Sequence, residues 1–195
     1  MAETSVSDAG TRIGGLMDDA LVQHRGGNLA GAERIYAAVL EIDGGNVQAR
    51  TLLGTLQAQQ SKFEDAERSL SQSLKIERRQ PFALNSLGNV LHALKRHGEA
   101  IARYEQAIAL KPDHAAAYSN RGNALKALDR HADALASYDT AIAIDSSYVE
   151  AYVRRGDALR EVKRHDDAVL SYEKGVGVRP HHAQRLFNRS TALQE

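Results

Sequence analysis

An alanine recurs every 34 residues along this chain, at Ala32, Ala66, Ala100, Ala134 and Ala168. Twelve residues before each stands another small residue: Ala20, Gly54, Gly88, Gly122 and Gly156. Self-similarity at a period of this length means that each unit is too small to bury its own apolar face, so neighbours must stack. The repeats align without a gap as 13–46, 47–80, 81–114, 115–148 and 149–182. A stacked array spreads its surface along one direction, which favours function on an extended face over function in one catalytic pocket.

Each repeat reads as two helices and a short turn. In 81–114, Leu84, Leu87, Leu91 and Leu94 fall at spacings of three and four, one helical face. The pattern predicts a first helix over 82–94, a turn at 95–98 and a second helix over 99–110. Pro112 ends the second helix, because it cannot continue one and restricts Lys111 before it. Glycine inside a helix costs about 0.5–1 kcal/mol relative to alanine. Its recurrence at Gly88, Gly122 and Gly156 therefore predicts close approach by a partner helix, with Ala100, Ala134 and Ala168 at the same contact.

The copies are uneven. The first carries Asp19 where an apolar residue is usual and reads as a polar N-terminal cap. The second departs at Gln57, Leu70, Ser73 and Arg78, and Gly175 with Gly177 should weaken the second helix of the fifth. Arg121 and Arg155 replace an inward leucine, with stems expected to pack and guanidinium groups to reach water. Residues 1–12 read as a disordered N-terminal segment, and 183–195 as a terminal helix or a truncated sixth repeat, the latter making the chain a fragment of a longer protein.

The order of large, large, small, large, then small, aromatic, small, proline in 81–114 resembles the tetratricopeptide repeat. The resemblance covers 13–182 and implies an all-α, right-handed α-solenoid of stacked antiparallel helix pairs. It further implies that the first helices line a concave face, with positions 2, 5, 6, 9, 12 and 13 of each repeat pointing into it. Those positions supply a candidate peptide-binding groove of Thr55, Phe82, Asn85, Asn89, His92, Ser119, Asn120, Asn123, Lys126, Arg154, Asp157 and Asn188. Its centre is rich in amides, which donate and accept together and so suit the backbone of an extended peptide.

Two sub-family patterns can be laid on the groove. The two-carboxylate clamp of co-chaperones wants Lys, Asn, Asn, Lys and Arg; Asn89, Asn120 and Arg154 match, but both lysines are absent and Glu150 reverses one charge. The asparagine ladder of O-linked N-acetylglucosamine transferase solenoids is similar to 117–128 and matches at Asn120 and Asn188, with Ser86 and Arg154 as interruptions.

Composition removes other classes. Lys plus Arg and Asp plus Glu are each 25, so no net field draws nucleic acid or an anionic membrane. There is no cysteine for thiol catalysis, disulfides or zinc thiolates. The N-terminus lacks the apolar core of a secretory signal, and no apolar run approaches the roughly 20 residues of a membrane span, so a cytoplasmic protein is expected. His97, His131 and His165 recur in successive layers, too far apart to share one zinc ion, and no cofactor or metal site is expected. Carboxylate pairs Asp18-Asp19, Glu64-Asp65 and Asp166-Asp167 read as turn or helix-start residues favoured by the helix dipole. With no nucleophile elbow or phosphate loop, the chain reads as a non-enzymatic scaffold for a protein or peptide partner. The alternatives are a homo-oligomeric scaffold assembling through 183–195, or a fragment of a larger protein such as a glycosyltransferase.

Overall fold

The computed structural model describes residues Ala2–Val178, with side chains from Gly10 onward. Every regular element among them is an α-helix: α1 (Ala2–Arg25), α2 (Leu29–Ile42), α3 (Val47–Gln59), α4 (Phe63–Ile76), α5 (Pro81–Ala93), α6 (His97–Leu110), α7 (Ala115–Lys126), α8 (His131–Ile144), α9 (Val149–Glu161) and α10 (His165–Val178). Odd-numbered helices are the first helices of the repeats and even-numbered ones the second. The chain divides after Leu94 into two compact units, α1–α5 and α6–α10. In the first, each helix packs on the next, and α3 also meets α5. In the second the same holds, with α7 also meeting α9. This is the all-α solenoid class that the period calls for, with successive helices covering one another within each unit.

The turns are tighter than the sequence pattern predicts. Each first helix ends in one residue of left-handed backbone: Gly27, Ser61, Lys95, Asp129 and Lys163, with φ between 57° and 82°. The next amide reaches back five residues, from Lys62 N to Gln57 O at 2.9 Å and from Arg164 N to Leu159 O at 2.9 Å. That is the closure of a helix by a left-handed residue. It needs so few residues that His97, His131 and His165 open the second helices instead of lying in the turns. Only the first turn advertises itself with glycine; the other four place a side chain where left-handed backbone costs about 1–2 kcal/mol.

Helix starts follow from local chemistry. Asn28 accepts from Gly31 N at 3.1 Å and Asn46 from Ala49 N at 2.9 Å, each satisfying one orphan amide. The α6, α8 and α10 starts use instead an arginine clipped to an acid three residues on: Arg96–Glu99 and Arg164–Asp167 at 2.7 Å, and Arg130–Asp133 at 2.6 Å. Glu64, Asp65, Asp166 and Asp167 lie in first turns as expected. Asp18 and Asp19 do not: they are exposed residues inside α1. Segment 1–12, read from sequence as disordered, is helical from Ala2 onward. Once Ile13–Arg25 has formed a helix against α2, each residue added ahead of it gains a hydrogen bond without a new nucleus. The expectation for 183–195 lies outside the described residues.

The recurring glycines answer to one contact, made by a larger side chain and not by the recurring alanines. A β-carbon on Gly122 would sit 2.6 Å from the Tyr138 ring, and one on Gly54 2.7 Å from Leu70; at Gly156 the Tyr172 ring leaves still less room. The residue that comes close is a side chain sixteen positions on, from the second helix of the same repeat. Ala32, Ala66, Ala100 and Ala134 are wholly buried and Ala168 nearly so. Leu70 replaces the tyrosine in the second repeat and is itself wholly buried. Ser73, another departure there, is buried but hydrogen-bonds Thr51 at 2.7 Å and the Val47 carbonyl at 3.2 Å, with Gln80 closing the network. Gly175 does not interrupt α10: it is buried against Tyr152, whose β-carbon would lie only 3.2 Å from one added at the glycine.

Gly122→Ala should therefore destabilise the protein. Overpacking costs about 1–3 kcal/mol, which outweighs the 0.5–1 kcal/mol or so that alanine contributes to a helix interior. Gly14→Ala, where nothing lies within 4 Å of the added carbon, should show the helix gain alone. Thermal unfolding followed by circular dichroism should move in opposite directions for the two variants; a Gly122→Ala protein that melts at or above the parent would refute the contact.

Candidate functional site

The candidate face is built from the first helices of the repeats, taken unit by unit. In the first unit, α3 and α5 enclose a cleft of about 320 Å³. Thr55, Ala58 and Gln59 line it from α3, Ser86, Asn89 and Val90 from α5, and Phe63 from the start of α4. Thr55 Oγ1 donates to the Thr51 carbonyl at 2.9 Å, so its oxygen meets the cleft as an acceptor. Gln59 Oε1 lies 2.9 Å from His24 Nε2, and His24 Nδ1 lies 3.3 Å from the Tyr36 hydroxyl. Burial pushes the Tyr36 hydroxyl pKa up, which keeps it protonated. It can donate to His24 Nδ1 while Nε2–H donates to Gln59, leaving the Gln59 amide nitrogen as a donor.

Thr55 and Asn89, both expected in the groove, thus share one cleft. Phe82 is 60% exposed at the start of α5, while Asn85 and His92 are half-buried on the same helix.

The second unit treats its expected groove residues differently. Asn123 accepts a hydrogen bond from the Tyr138 hydroxyl at 2.8 Å, and Asp157 from the Tyr172 hydroxyl at 2.9 Å. Each pair joins the first and second helix of one repeat. Burial holds both tyrosines far above the ordinary phenol range, so they are permanent donors. Asp157 is only 5% exposed and Ser119 only 2%. These two face helix packing rather than an open groove, because a side chain on an inner helix must also cover the helix stacked beside it. Lys126 reaches Glu161 at 2.7 Å. Asn120 is half-buried, and Arg154 is exposed without a hydrogen bond or ion pair among the described residues. Asn188 lies outside the described residues.

Several functional-looking side chains prove to be ties between elements. Arg121 donates to Ser137 Oγ at 3.1–3.2 Å and lies 5.5 Å from the Tyr118 ring, and Arg155 meets Asp139 at 2.6 Å. Neither guanidinium is given up to water. Lys126–Glu161 and His24–Gln59 both span 35 residues, joining one repeat to the next at the same pair of positions. That regularity is visible in the sequence once two residues 35 apart are compared. Among the described residues no group of three or more His, Cys, Asp or Glu could hold a metal ion, and no helix is long and apolar enough to cross a membrane.

The tyrosine ties can be ranked. Tyr172→Phe strips a donor from a buried carboxylate, and Tyr138→Phe strips one from a neutral amide. Bonds to charged groups are worth about 1.5–3 kcal/mol against roughly 0.5–1.5 for neutral ones. Urea unfolding should show the larger loss for Tyr172→Phe; equal or reversed losses would mean that Asp157 does not depend on this donor.

Four family models account for most of the chain. Three described as tetratricopeptide repeat match residues 25–87, 115–148 and 149–182, and one described as TPR repeat matches 88–129. No curated protein matched. Among solved structures the chain is similar to MamA, with 27% identity, 86% of this chain and 98% of that one covered, and a TM-score of 0.73. A thermophilic tetratricopeptide repeat protein of Thermus thermophilus aligns with a TM-score of 0.80 over 94% of this chain and all of its own, at 17% identity. YrrB, described as a tetratricopeptide repeat protein with an unusual peptide-binding site, aligns at 0.66 over 90% of each chain and 18% identity. At those two identities the likeness is one of fold alone. With the period, the helix pairs and the small-residue contact already in place, these matches show that the chain belongs to the tetratricopeptide repeat family.

Proposed function

We propose that this protein is a non-catalytic cytoplasmic scaffold that holds an extended peptide, or an extended segment of a partner protein, on the face of its first helices. The observation that carries the reading is the cleft between α3 and α5, where Thr55, Gln59, Ser86 and Asn89 gather hydroxyl and amide groups on one surface. Such groups match the alternating donors and acceptors of a peptide backbone. In the second unit, the first helices carry an amide at Asn120 and a guanidinium at Arg154. A net charge of zero gives nucleic acid no general attraction. Replacing Asn89, Asn120 and Arg154 together by alanine should abolish capture of the partner while circular dichroism stays at the parent level. Undiminished binding by that variant would put the partner on another surface.

A second reading is self-assembly, and one observation favours it. Val169, Leu170 and Val176 are exposed on α10, at 53%, 55% and 42%. A helix that exposes apolar side chains can pair with another copy. On this reading light scattering gives a mass above the 21.3 kDa of one chain, rising with concentration, and Val169→Lys/Val176→Lys restores the monomer. A parent mass of one chain at every concentration would exclude it.

A further inference from the structure

The cleft of the first unit has a chemistry that selects among peptides. Of its seven lining residues none is charged. Ala58, Phe63 and Val90 supply carbon surface, and Val90 is almost fully buried beneath it. Thr55 Oγ1 is an acceptor because its proton is already given to Thr51. Gln59 retains its amide donor because its oxygen is engaged by His24. Lys62, next in sequence to Phe63, is held by Glu33 at 2.9 Å and supplies no unpaired cation. A charged group entering such a site would find no counter-charge among the lining residues, and whatever water it gave up there would be uncompensated. An aliphatic side chain would find a carbon lining, and the peptide unit beside it one acceptor and one donor.

We infer that this cleft receives an uncharged aliphatic side chain of an extended peptide, with the adjoining peptide unit bonded by Thr55 and Gln59, and that it rejects a carboxylate. The inference rests on the peptide-binding reading above and assigns its ligand class. It also separates the two units: the cleft here is neutral, whereas the expected groove residues of the second unit include Lys126 and Arg154. A cleft of about 320 Å³ is at the small end of ligand pockets, which suits one side chain and its backbone rather than a folded partner.

The test starts with a random twelve-residue phage library selected on the full chain. Selected peptides are remade with acetylated N-termini and amidated C-termini, and their affinities are read by fluorescence polarisation. The selected set should share one uncharged aliphatic residue, and its replacement by Asp should weaken binding at least about tenfold, as expected for one uncompensated charge. Gln59→Lys, a change at an exposed residue, should return much of the affinity for the Asp peptide. Ser86→Trp, which fills the cleft, should lose tenfold or more for the parent peptide. Equal binding of the aliphatic and Asp peptides, or selection of acidic peptides or free C-terminal carboxylates, overturns the inference. If Ser86→Trp and Gln59→Lys leave binding unchanged while an Asn120→Ala/Arg154→Ala variant loses it, the groove stands and the cleft assignment falls. If none of these variants changes binding, or no peptide is selected, both readings fall.

Discussion

The contact between a glycine and an aromatic ring sixteen residues later sets the spacing of the helix pairs. With no β-carbon at Gly122 or Gly156, the rings of Tyr138 and Tyr172 lie directly on the backbone of the facing helix. The helix gives up about 0.5–1 kcal/mol of intrinsic stability for each such glycine. In return a large ring packs on that backbone, wholly buried at Tyr138 and partly at Tyr172, and full burial of a large apolar side chain is worth roughly 1.5–3 kcal/mol. The same closeness brings each hydroxyl to Asn123 or Asp157, so one packing contact also fixes a polar tie. In the second repeat Leu70 fills the place without a hydroxyl, and Thr55 turns to its own helix instead.

That arrangement decides which inner-face residues remain for a partner. A polar side chain at the position of Asn123 or Asp157 looks like a ligand-binding group in the sequence, yet its acceptor is already used. Where the tyrosine is missing, in the second repeat, the equivalent Thr55 helps to line a cleft. The departures of that repeat from the family pattern are thus more informative about binding than its agreements. Ser73 is a departure of the other kind: a buried hydroxyl whose hydrogen bonds to Thr51, Val47 and Gln80 replace apolar packing.

Charged groups contribute less to the fold than their number suggests. The clips Arg96–Glu99, Arg130–Asp133 and Arg164–Asp167 are exposed pairs of one helical turn, worth a few tenths of a kcal/mol each. Their role is local, organising helix starts that have no side-chain cap. Lys126–Glu161 links successive repeats of the second unit.

The sequence by itself determined the period, the helix pairs, the close approach at the recurring glycines and the family, because each of these is repeated. A signal five times over survives the noise of any single copy, and stacking imposes the same steric demand in every layer. Through the resemblance it also pointed to the first helices as the candidate binding face. Only the tertiary structure decided which inner-face side chains are engaged. Ser119 and Asp157 are buried, Asn123 is held by Tyr138, and Thr55 shares a cleft with Asn89, Gln59 and Phe63. The left-handed residues Ser61, Lys95, Asp129 and Lys163 were equally hidden, since no glycine marks them. The reason is common to all of these. Position in a repeat tells which way a Cβ points, but burial and hydrogen bonding depend on what the neighbouring helix places opposite it, and that neighbour lies 15–35 residues away in sequence.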